Sequence, residues 1–306
     1  MEYFQLVSSD LKISRIGFGC AAISGYDYGK VDERESIKSI RKAWEKGINL
    51  FDTADVYGFG NTEKILANAL GNERHKAIIA TKFGINWDQS GMTYRDCSVK
   101  RMIQALEDSM RRLRLDCIPI YMIHWHDGIT PLAELMIALK KCQQMGKIKY
   151  IGCSNFTPAM VLKALKTHKL DFIQLPYSLV RRENEIQLSE SIKKQSMVTI
   201  IYDVLARGLL TGKYDKNVKF GKNDTRTNNR YFTGDSFKFG LRMVKRLEII
   251  GRRHDKNPAQ VAIKWAIGQS FVNCVLIGSK HVSQVSENTD VFEWSLTRED
   301  QAELEQ

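Results

Sequence analysis

The sequence lacks the features that mark membrane-spanning and secreted proteins. No run of about 18 apolar residues occurs in the 306-residue chain, so no membrane span is expected. The N-terminus has no basic stretch followed by an apolar one, so secretion is not indicated. The six cysteines lie far apart and none forms a CxxC pair, which argues against a zinc ribbon or a redox dithiol. These absences favour a cytoplasmic protein.

Acidic residues are fewer than basic ones, 35 against 46, which gives a formal net charge of +11. Such an excess can attract nucleic acid, an anionic membrane or an anionic ligand. The basic residues are spread through helix-like segments such as 111–116 and 163–169, without a long basic arm or a nucleic-acid-binding module. We therefore expect no nucleic-acid or membrane partner, and we interpret the excess as solvated faces with a bias toward phosphate-bearing ligands.

Short β-rich runs alternate with longer helical patterns along the whole chain. Most of the runs are continuously apolar, as expected for strands that are buried on both faces. Eight such runs separated by helices predict an α/β fold, a single (β/α)8 barrel domain over residues 1–306 with a β-hairpin near its start, at about residues 2–12. The predicted strands are 15–19, 48–52, 77–82, 118–124, 149–154, 172–176, 198–202 and 274–278.

Helix starts are marked by an N-cap residue followed by proline, whose missing N–H costs nothing at the first helical position. A long polar gap over residues 203–240 separates two of the predicted strands, and an insertion of this kind is usually functional or mobile. The N-cap and proline pairs are Thr130-Pro131, Thr157-Pro158 and Asn257-Pro258.

Four ionisable residues stand at or just after the ends of three successive predicted strands. Asp52 ends the second strand and Tyr57 follows in its loop, Lys82 ends the third strand, and His124 ends the fourth. Reactive groups of barrel enzymes gather at the carboxyl ends of the strands. Each residue alone has a structural explanation, as a cap, a rim aromatic, a salt bridge or a core histidine, but four in strand order form a candidate catalytic set.

The set suits the reduction of a carbonyl group. Hydride addition leaves an alkoxide, so a proton donor must lie beside the oxygen. A free phenol titrates near pH 10, and a nearby ammonium lowers that pKa by favouring the phenolate. An aspartate can orient the lysine, and a histidine can hydrogen-bond the carbonyl oxygen.

The motifs FDTADVYG (51–58), ATKFG (80–84), the histidine that ends the fourth strand, and GCSNF (152–156) resemble the aldo-keto reductase superfamily, and the resemblance spans nearly the whole chain. It implies an NADPH-dependent oxidoreductase that reduces an aldehyde or ketone, such as a sugar or a biosynthetic intermediate, by direct hydride transfer. By the same resemblance Tyr57 is the general acid, Lys82 and Asp52 tune it, and His124 orients the substrate.

The resemblance also implies a site for NADPH or NADP+. Ser154, Asn155 and Gln174 match the residues that hold the carboxamide, and Tyr202 matches the aromatic on which the nicotinamide stacks. Lys280 would face the 2′-phosphate, which favours NADPH over NADH. The remaining implied contacts are Leu205, Gly208 and Lys213 in LARGLLTGK, Arg226 in the polar insertion, and Gly278, Gln284, Glu287 and Asn288 in IGSKHVSQVSEN.

Some positions depart from the family pattern. Asp203-Val204 follows Tyr202 where a Ser-Pro pair is usual, and an acidic group there could disturb cofactor contacts. His126 stands two residues after His124, at a position where the family often has proline. His124 and His126 could both face a metal, but no third ligand has suitable spacing, so no metal site is predicted.

Residues 17–22, GFGCAA, fit the GxGxxA fingerprint of a Rossmann fold, which must open a helix directly after its strand. A loop follows here and the helix is expected to begin near Asp32, so this match is rejected. The predicted partner is a small-molecule carbonyl substrate, and the oligomeric state is not encoded in any pattern. The predicted substrate contacts are Ile23, Tyr28, Phe83, Trp87, Trp125 and His126.

Other functions stay open at this point. A cofactor-sensing subunit could keep the same four residues without turnover. A lyase with a Schiff base at Lys82 would leave the Ser-Asn pair and the LARGLLTGK segment unexplained, and a nucleic-acid binder rests on net charge alone.

Overall fold

The computed structural model describes residues 1–6, 11–25, 31–185, 195, 197–221 and 224–305. Eight parallel strands close into a barrel in which each pairs with the next barrel strand along the chain and the last with the first, which confirms the predicted (β/α)8 fold. All eight predicted strands form, with ends that agree to within two residues. They are β3 Ile16–Gly19, β4 Leu50–Asp52, β5 Ile78–Phe83, β8 Ile118–Ile123, β9 Ile148–Ser154, β10 Phe172–Pro176, β11 Val198–Tyr202 and β12 Cys274–Ile277.

The predicted N-terminal hairpin pairs β1, Tyr3–Gln5, with β2, Lys12–Ser14, in antiparallel register. Its apolar residues Leu6, Leu11 and Ile13 join the cluster that fills the barrel interior. The hairpin therefore closes the amino-terminal end of the barrel, and the carboxyl end carries the polar side chains.

Helices surround the barrel and shield its outer face, and a second apolar cluster fills the space between strands and helices. Among the described residues, none of the helices combines the length and the apolar character needed to cross a bilayer. The helices are α1 Glu33–Glu45, α2 Asn61–Leu70, α3 Val99–Leu113, α4 Leu132–Gln144, α5 Pro158–Leu165, α6 Gly234–His254, α7 Pro258–Ile267, α8 Val282–Thr289 and α9 Arg298–Glu305.

Two of the three predicted N-caps act as expected. Thr157 accepts a hydrogen bond from the peptide N–H of Met160, and Asn257 forms a capping box with Gln260. The prediction for Thr130 was wrong. Pro131 itself takes the cap position of α4, because the Thr130 hydroxyl donates instead to Asp127 at 2.6 Å.

The GFGCAA segment does not form a dinucleotide fingerprint. A single 3-10 turn, Cys20–Ile23, follows β3, and the next helix begins at Glu33 with Asp32 as its cap. Gly17 is small for packing reasons, since a Cβ there would lie 2.7 Å from a methyl carbon of Leu276 on the neighbouring strand.

An unpredicted hairpin stands at the carboxyl end of the barrel between β5 and α3. Its strands are β6, Ile85–Trp87, and β7, Thr93–Arg95. The polar insertion predicted over 203–240 contains the 3-10 turns Ala206–Thr211 and Arg230–Phe232 and the first turns of α6. Both elements border the site described next.

Candidate active site

A buried ion pair lies at the centre of the carboxyl end. Nζ of Lys82 lies 2.7 and 2.8 Å from the two carboxylate oxygens of Asp52 and donates to the carbonyl of Thr53 at 2.9 Å. Lys82 is fully buried, and Asp52 also accepts from Nε2 of Gln174 at 2.7 Å. The ammonium is thus held in one position by three oxygen atoms, with its charge balanced by the carboxylate.

Tyr57 is presented by a tight turn that follows β4. Backbone at Gly58, Phe59 and Gly60 has positive φ of 56°, 54° and 87°, a conformation that glycine adopts without a steric cost. The ring centroid of Tyr57 lies 5.3 Å from Nζ of Lys82. The turn therefore holds the phenol beside the buried ammonium, where a positive charge stabilises a phenolate.

His124 completes the group from the end of β8. Its ring centroid lies 5.7 Å from that of Tyr57, and the two rings are nearly perpendicular. Burial lowers the pKa of His124 well below its ordinary value, and the nearby Lys82 charge lowers it further. The imidazole is therefore neutral at physiological pH, and its Nδ1 has no hydrogen-bond partner among the described residues.

A chain of amides and hydroxyls leads away from His124. Nδ2 of Asn155 donates to the His124 carbonyl at 3.1 Å and to Oγ of Ser154 at 3.0 Å. The hydroxyl of Tyr202 donates to Oδ1 of Asn155 at 2.6 Å. Asn155 sits at a φ of 59°, so its backbone is in the left-handed region that asparagine tolerates better than most residues.

These residues line one cavity of about 740 Å³ at the carboxyl end of the barrel. The fully buried Lys82 lies beneath its floor rather than on its surface. Every residue that the family resemblance assigned to the cofactor lines this cavity. They are Ser154, Asn155, Gln174, Tyr202, Leu205, Gly208, Lys213, Arg226, Gly278, Lys280, Gln284, Glu287 and Asn288, together with Asp52, Tyr57 and His124 of the catalytic set.

Three of the cations that line the cavity, Lys213, Arg226 and Lys280, come from separate segments. Burial lowers the pKa of Lys280, and the charges of Arg226 and Lys213 lower it further. Arg226 is held by Nε donation to Asp224 at 2.8 Å and by Nη1 donation to the Tyr214 hydroxyl at 2.6 Å. Mutual repulsion of this kind indicates a place where an anionic ligand would be stabilised.

Asp203, the departure from the family pattern, also lines the cavity. Burial raises its pKa, while the charges of Arg207 and Arg181 oppose that rise. Oδ2 lies 4.0 Å from Nε of Arg207 and accepts from the Tyr231 hydroxyl at 3.5 Å. The carboxylate is therefore partly neutralised by the protein itself.

Most of the predicted substrate contacts lie outside the lining of the cavity. Trp125 lines the cavity. Ile23 and Phe83 are both buried in the cluster between strands and helices. The Phe83 ring points away from the barrel interior and stacks on Tyr121, with 5.0 Å between ring centroids. Tyr28 lies outside the described residues.

The side chains of Trp87 and His126 contact residues of the surrounding loops and helices. The Trp87 ring packs on Phe59 at 5.6 Å and on the guanidinium of Arg101 at 5.4 Å. Both ring nitrogens of His126 are engaged by backbone, Nε2 with the Thr130 carbonyl at 2.8 Å and Nδ1 with the Gly128 N–H at 3.0 Å. Within the described ranges, no group of three His, Cys, Asp or Glu side chains could hold a metal ion.

Sequence reasoning missed several residues that line the cavity. Ile85 and Thr93 come from the unpredicted hairpin, and Arg207 and Thr225 come from the polar insertion. Nη1 of Arg207 donates to the Thr225 hydroxyl at 3.0 Å, which joins two parts of that insertion. The sequence signals for this contribution were the length and polarity of the insertion and, for Arg207, its place inside the LARGLLTGK segment.

Comparisons with known proteins identify the family of the chain. The chain is 34% identical to aldo-keto reductase YhdN of Bacillus subtilis over 99% of its length and 92% of the relative's. It is 30% identical to the NADH-specific methylglyoxal reductase of Escherichia coli, covering 98% and 96% of the two chains. A third relative, aldo-keto reductase yakc [NADP(+)] of Schizosaccharomyces pombe, is 29% identical over 90% and 83%.

Solved structures of two similar proteins superpose on the chain over nearly its whole length. The glycerol dehydrogenase of Gluconobacter oxydans superposes with a TM-score of 0.91 at 36% identity, covering 99% of this chain and 94% of that one. An aldo-keto reductase of Bacillus halodurans in its holo form superposes with a TM-score of 0.80 at 28% identity, over 100% and 95%. The model of the aldo/keto reductase family matches residues 15–306. The chain therefore belongs to the aldo/keto reductase family of oxidoreductases.

Proposed function

We propose that this protein is an NADP(H)-dependent reductase that converts an aldehyde or ketone to an alcohol, with Tyr57 as the proton donor. The observation that carries the proposal is the Lys82 ammonium, fixed by both oxygens of Asp52 and 5.3 Å from the Tyr57 ring. A phenol beside a fixed, buried cation gives up its proton more readily than a free one. A proton donor of this kind contributes roughly 10²–10⁴-fold to a rate.

The neutral imidazole of His124 orients the substrate. A neutral ring carries one N–H that can donate to a carbonyl oxygen and one nitrogen that can accept. The ring stands edge-on to Tyr57, so one carbonyl oxygen can receive hydrogen bonds from both side chains. Two donors aimed at the same oxygen stabilise the negative charge that develops on it.

The polar groups of the cavity suit a nicotinamide dinucleotide. Ser154, Asn155 and Gln174 place amide and hydroxyl groups close to the catalytic set, where a carboxamide can be hydrogen-bonded. When bound there, the nicotinamide would supply the hydride. Tyr202, anchored to Asn155 by its hydroxyl, offers its ring as the stacking surface.

The preference for NADPH rests on the three cations Lys213, Arg226 and Lys280. The additional phosphate of NADPH brings negative charge that these three side chains can neutralise. The names of the relatives divide on this point, since one is called NADH-specific and another carries NADP(+) in its name. The three cations of this chain favour NADP(H) over NAD(H).

The substrate class is supported by two relatives, one named as a methylglyoxal reductase and one as a glycerol dehydrogenase. Both names point to a carbonyl and alcohol couple, which a single site can run in either direction. The cytoplasmic location and the absence of a nucleic-acid or membrane partner stay predictions from the sequence.

The first experiment is binding of NADPH and NADH by fluorescence, followed by cofactor oxidation with a panel of aldehydes and ketones. We expect tighter NADPH binding and turnover of at least one carbonyl. Tyr57→Phe should keep NADPH binding and lower kcat by roughly 10²–10⁴-fold, because it removes the proton donor and little else. Binding without any turnover would support a cofactor-sensing subunit instead, and near-normal turnover by Tyr57→Phe would remove the tyrosine from its role.

A further inference from the structure

A small side pocket adjoins the main cavity beneath the hairpin formed by β6 and β7. Its volume is about 200 Å³. Ile85, Thr93 and Trp125 line both spaces, so the pocket lies beside the end of the cavity that holds His124. Tyr94 and Arg95 complete its wall. A substrate whose carbonyl reaches Tyr57 and His124 can therefore extend into this pocket.

Arg95 is the charged group of the pocket, and among the described residues its guanidinium has no acidic partner. The guanidinium carbon lies 4.7 Å from the ring centroid of Trp125. Its Nη1 makes one long hydrogen bond, 3.5 Å, to the His126 carbonyl. In the part of the chain that the structure describes, Arg95 has no carboxylate oxygen within 4.0 Å. Stacking on an indole leaves the edge of the guanidinium, where the N–H donors lie, open for other contacts.

The neighbouring carboxylates are committed to their own loops. Asp127 accepts from the peptide N–H groups of Cys97, Ile129 and Thr130 and from the Thr130 hydroxyl. Asp96 accepts from the peptide N–H of Ser98. Asp88 accepts from Ser90 and Met92 at the hairpin tip. These acids therefore stabilise the hairpin and the loop after β8, and none of them pairs with Arg95.

Among the described residues that line the cavity, the other cations have a counter-charge or stand with the segments that the cofactor would occupy, since Arg207 lies 4.0 Å from a carboxylate oxygen of Asp203. The Lys82 charge is balanced by Asp52, and burial keeps His124 neutral. The cations Lys213, Arg226 and Lys280 stand with the segments that the cofactor would occupy. An anionic group on the substrate would consequently find its partner in Arg95.

We propose that Arg95, held on the face of Trp125, is a specificity-determining residue that binds an oxoanion on the carbonyl substrate. The preferred substrates are then aldehydes or ketones that carry a carboxylate or phosphate a few bonds from the reacting carbonyl. A planar guanidinium matches either oxoanion with two parallel N–H donors. This inference rests on the proposed carbonyl reduction and names the substrate class of that same site.

The test compares matched pairs of substrates at saturating NADPH. Succinic semialdehyde is paired with butanal for the carboxylate, and glyceraldehyde 3-phosphate with glyceraldehyde for the phosphate. The ratio of kcat/KM within each pair is measured for the wild type, Arg95→Ala and Arg95→Lys. Arg111→Ala is the matched control, because Arg111 is 75% exposed on α3 and its loss changes the net charge equally.

We expect the wild type to favour at least one anionic member by roughly tenfold to a hundredfold, the usual strength of a charge-assisted hydrogen bond. Arg95→Ala should abolish the preference, Arg95→Lys should retain part of it, and Arg111→Ala should keep it. The preference should also weaken as salt is raised. The substrate pair whose kcat/KM ratio depends on Arg95 shows whether the preferred oxoanion is a carboxylate or a phosphate. Fluorescence titration with NADPH checks that each variant is folded.

Two results would overturn the inference while leaving carbonyl reduction intact. One is a wild type that reduces the neutral members as well as the anionic ones. The other is an anionic preference that survives Arg95→Ala. If no member of either pair and no other carbonyl is reduced, the proposed function itself fails, and the inference fails with it.

Discussion

Nζ of Lys82 lies 2.7 and 2.8 Å from the two carboxylate oxygens of Asp52, and this pair is shielded from solvent beneath the floor of the cavity. A buried ion pair is a poor source of stability, since the loss of solvation offsets much of the attraction. The pair lies beside Tyr57, and we therefore propose that its role is catalytic, because it holds a positive charge next to the phenol that must release a proton.

The pair can be separated into its structural and catalytic contributions. Asp52→Asn and Lys82→Met each leave one buried charge without its partner, so each should lower the free energy of unfolding by about 3–5 kcal/mol. The double variant removes both charges and should regain part of that stability. Because it still lacks the cation beside Tyr57, its kcat should stay roughly 10²–10⁴-fold low. Urea unfolding and single-turnover kinetics measure the two effects, and recovery of activity along with stability would contradict the catalytic role.

Lys280 provides a test of cofactor choice. Lys280→Glu should weaken NADPH by roughly tenfold to a hundredfold and NADH much less, because the new carboxylate repels the additional phosphate. Fluorescence titration with both cofactors measures the change. Lys76→Glu is the control, since Lys76 has a 72% exposed side chain away from the cavity and undergoes the same charge reversal. An equal loss for both cofactors would place the phosphate elsewhere.

Asp55 predicts a pH dependence of stability. Burial raises the pKa of this carboxyl from 3.8 to about 7, although the charge of Arg101, 2.8 Å away, opposes the rise. Because the folded state then binds the proton more tightly than the unfolded state, this group costs stability as pH rises from about 4 to about 7. Asp55→Asn cannot titrate, so its unfolding free energy relative to the wild type should increase across that window, by at most about 4 kcal/mol.

Urea unfolding of both proteins at intervals between pH 4 and pH 8 measures this difference. Asp108→Asn serves for comparison, because Asp108 also pairs with an arginine but lies on the outer surface of α3. A difference between wild type and Asp55→Asn that does not change with pH would show that Asp55 is ionised throughout and stabilised by Arg101.

The barrel was predictable because its signals are local. Continuously apolar runs, caps such as Asn257 and turn residues each act within a few positions of the chain, and eight repeats of the pattern leave one closed architecture. The unpredicted hairpin has short strands with half-buried or exposed side chains, so it carries no apolar run to reveal it. Its effect on the site could not be anticipated for the same reason.

The sequence by itself determined which strands exist and that Asp52, Tyr57, Lys82 and His124 stand at their carboxyl ends, because strand order and side-chain chemistry are written along the chain. Only the tertiary structure decided which neighbours share the cavity. Adjacent strand residues face opposite sides, so Lys82 lies under the cavity while Phe83 enters the outer core. Loop closure likewise turned His126 toward Thr130 and brought Arg95, 30 positions from Trp125, onto its ring. The contact between Arg95 and Trp125 depends on the packing of segments that are distant in sequence, and the one between His126 and Thr130 depends on how the loop after β8 folds.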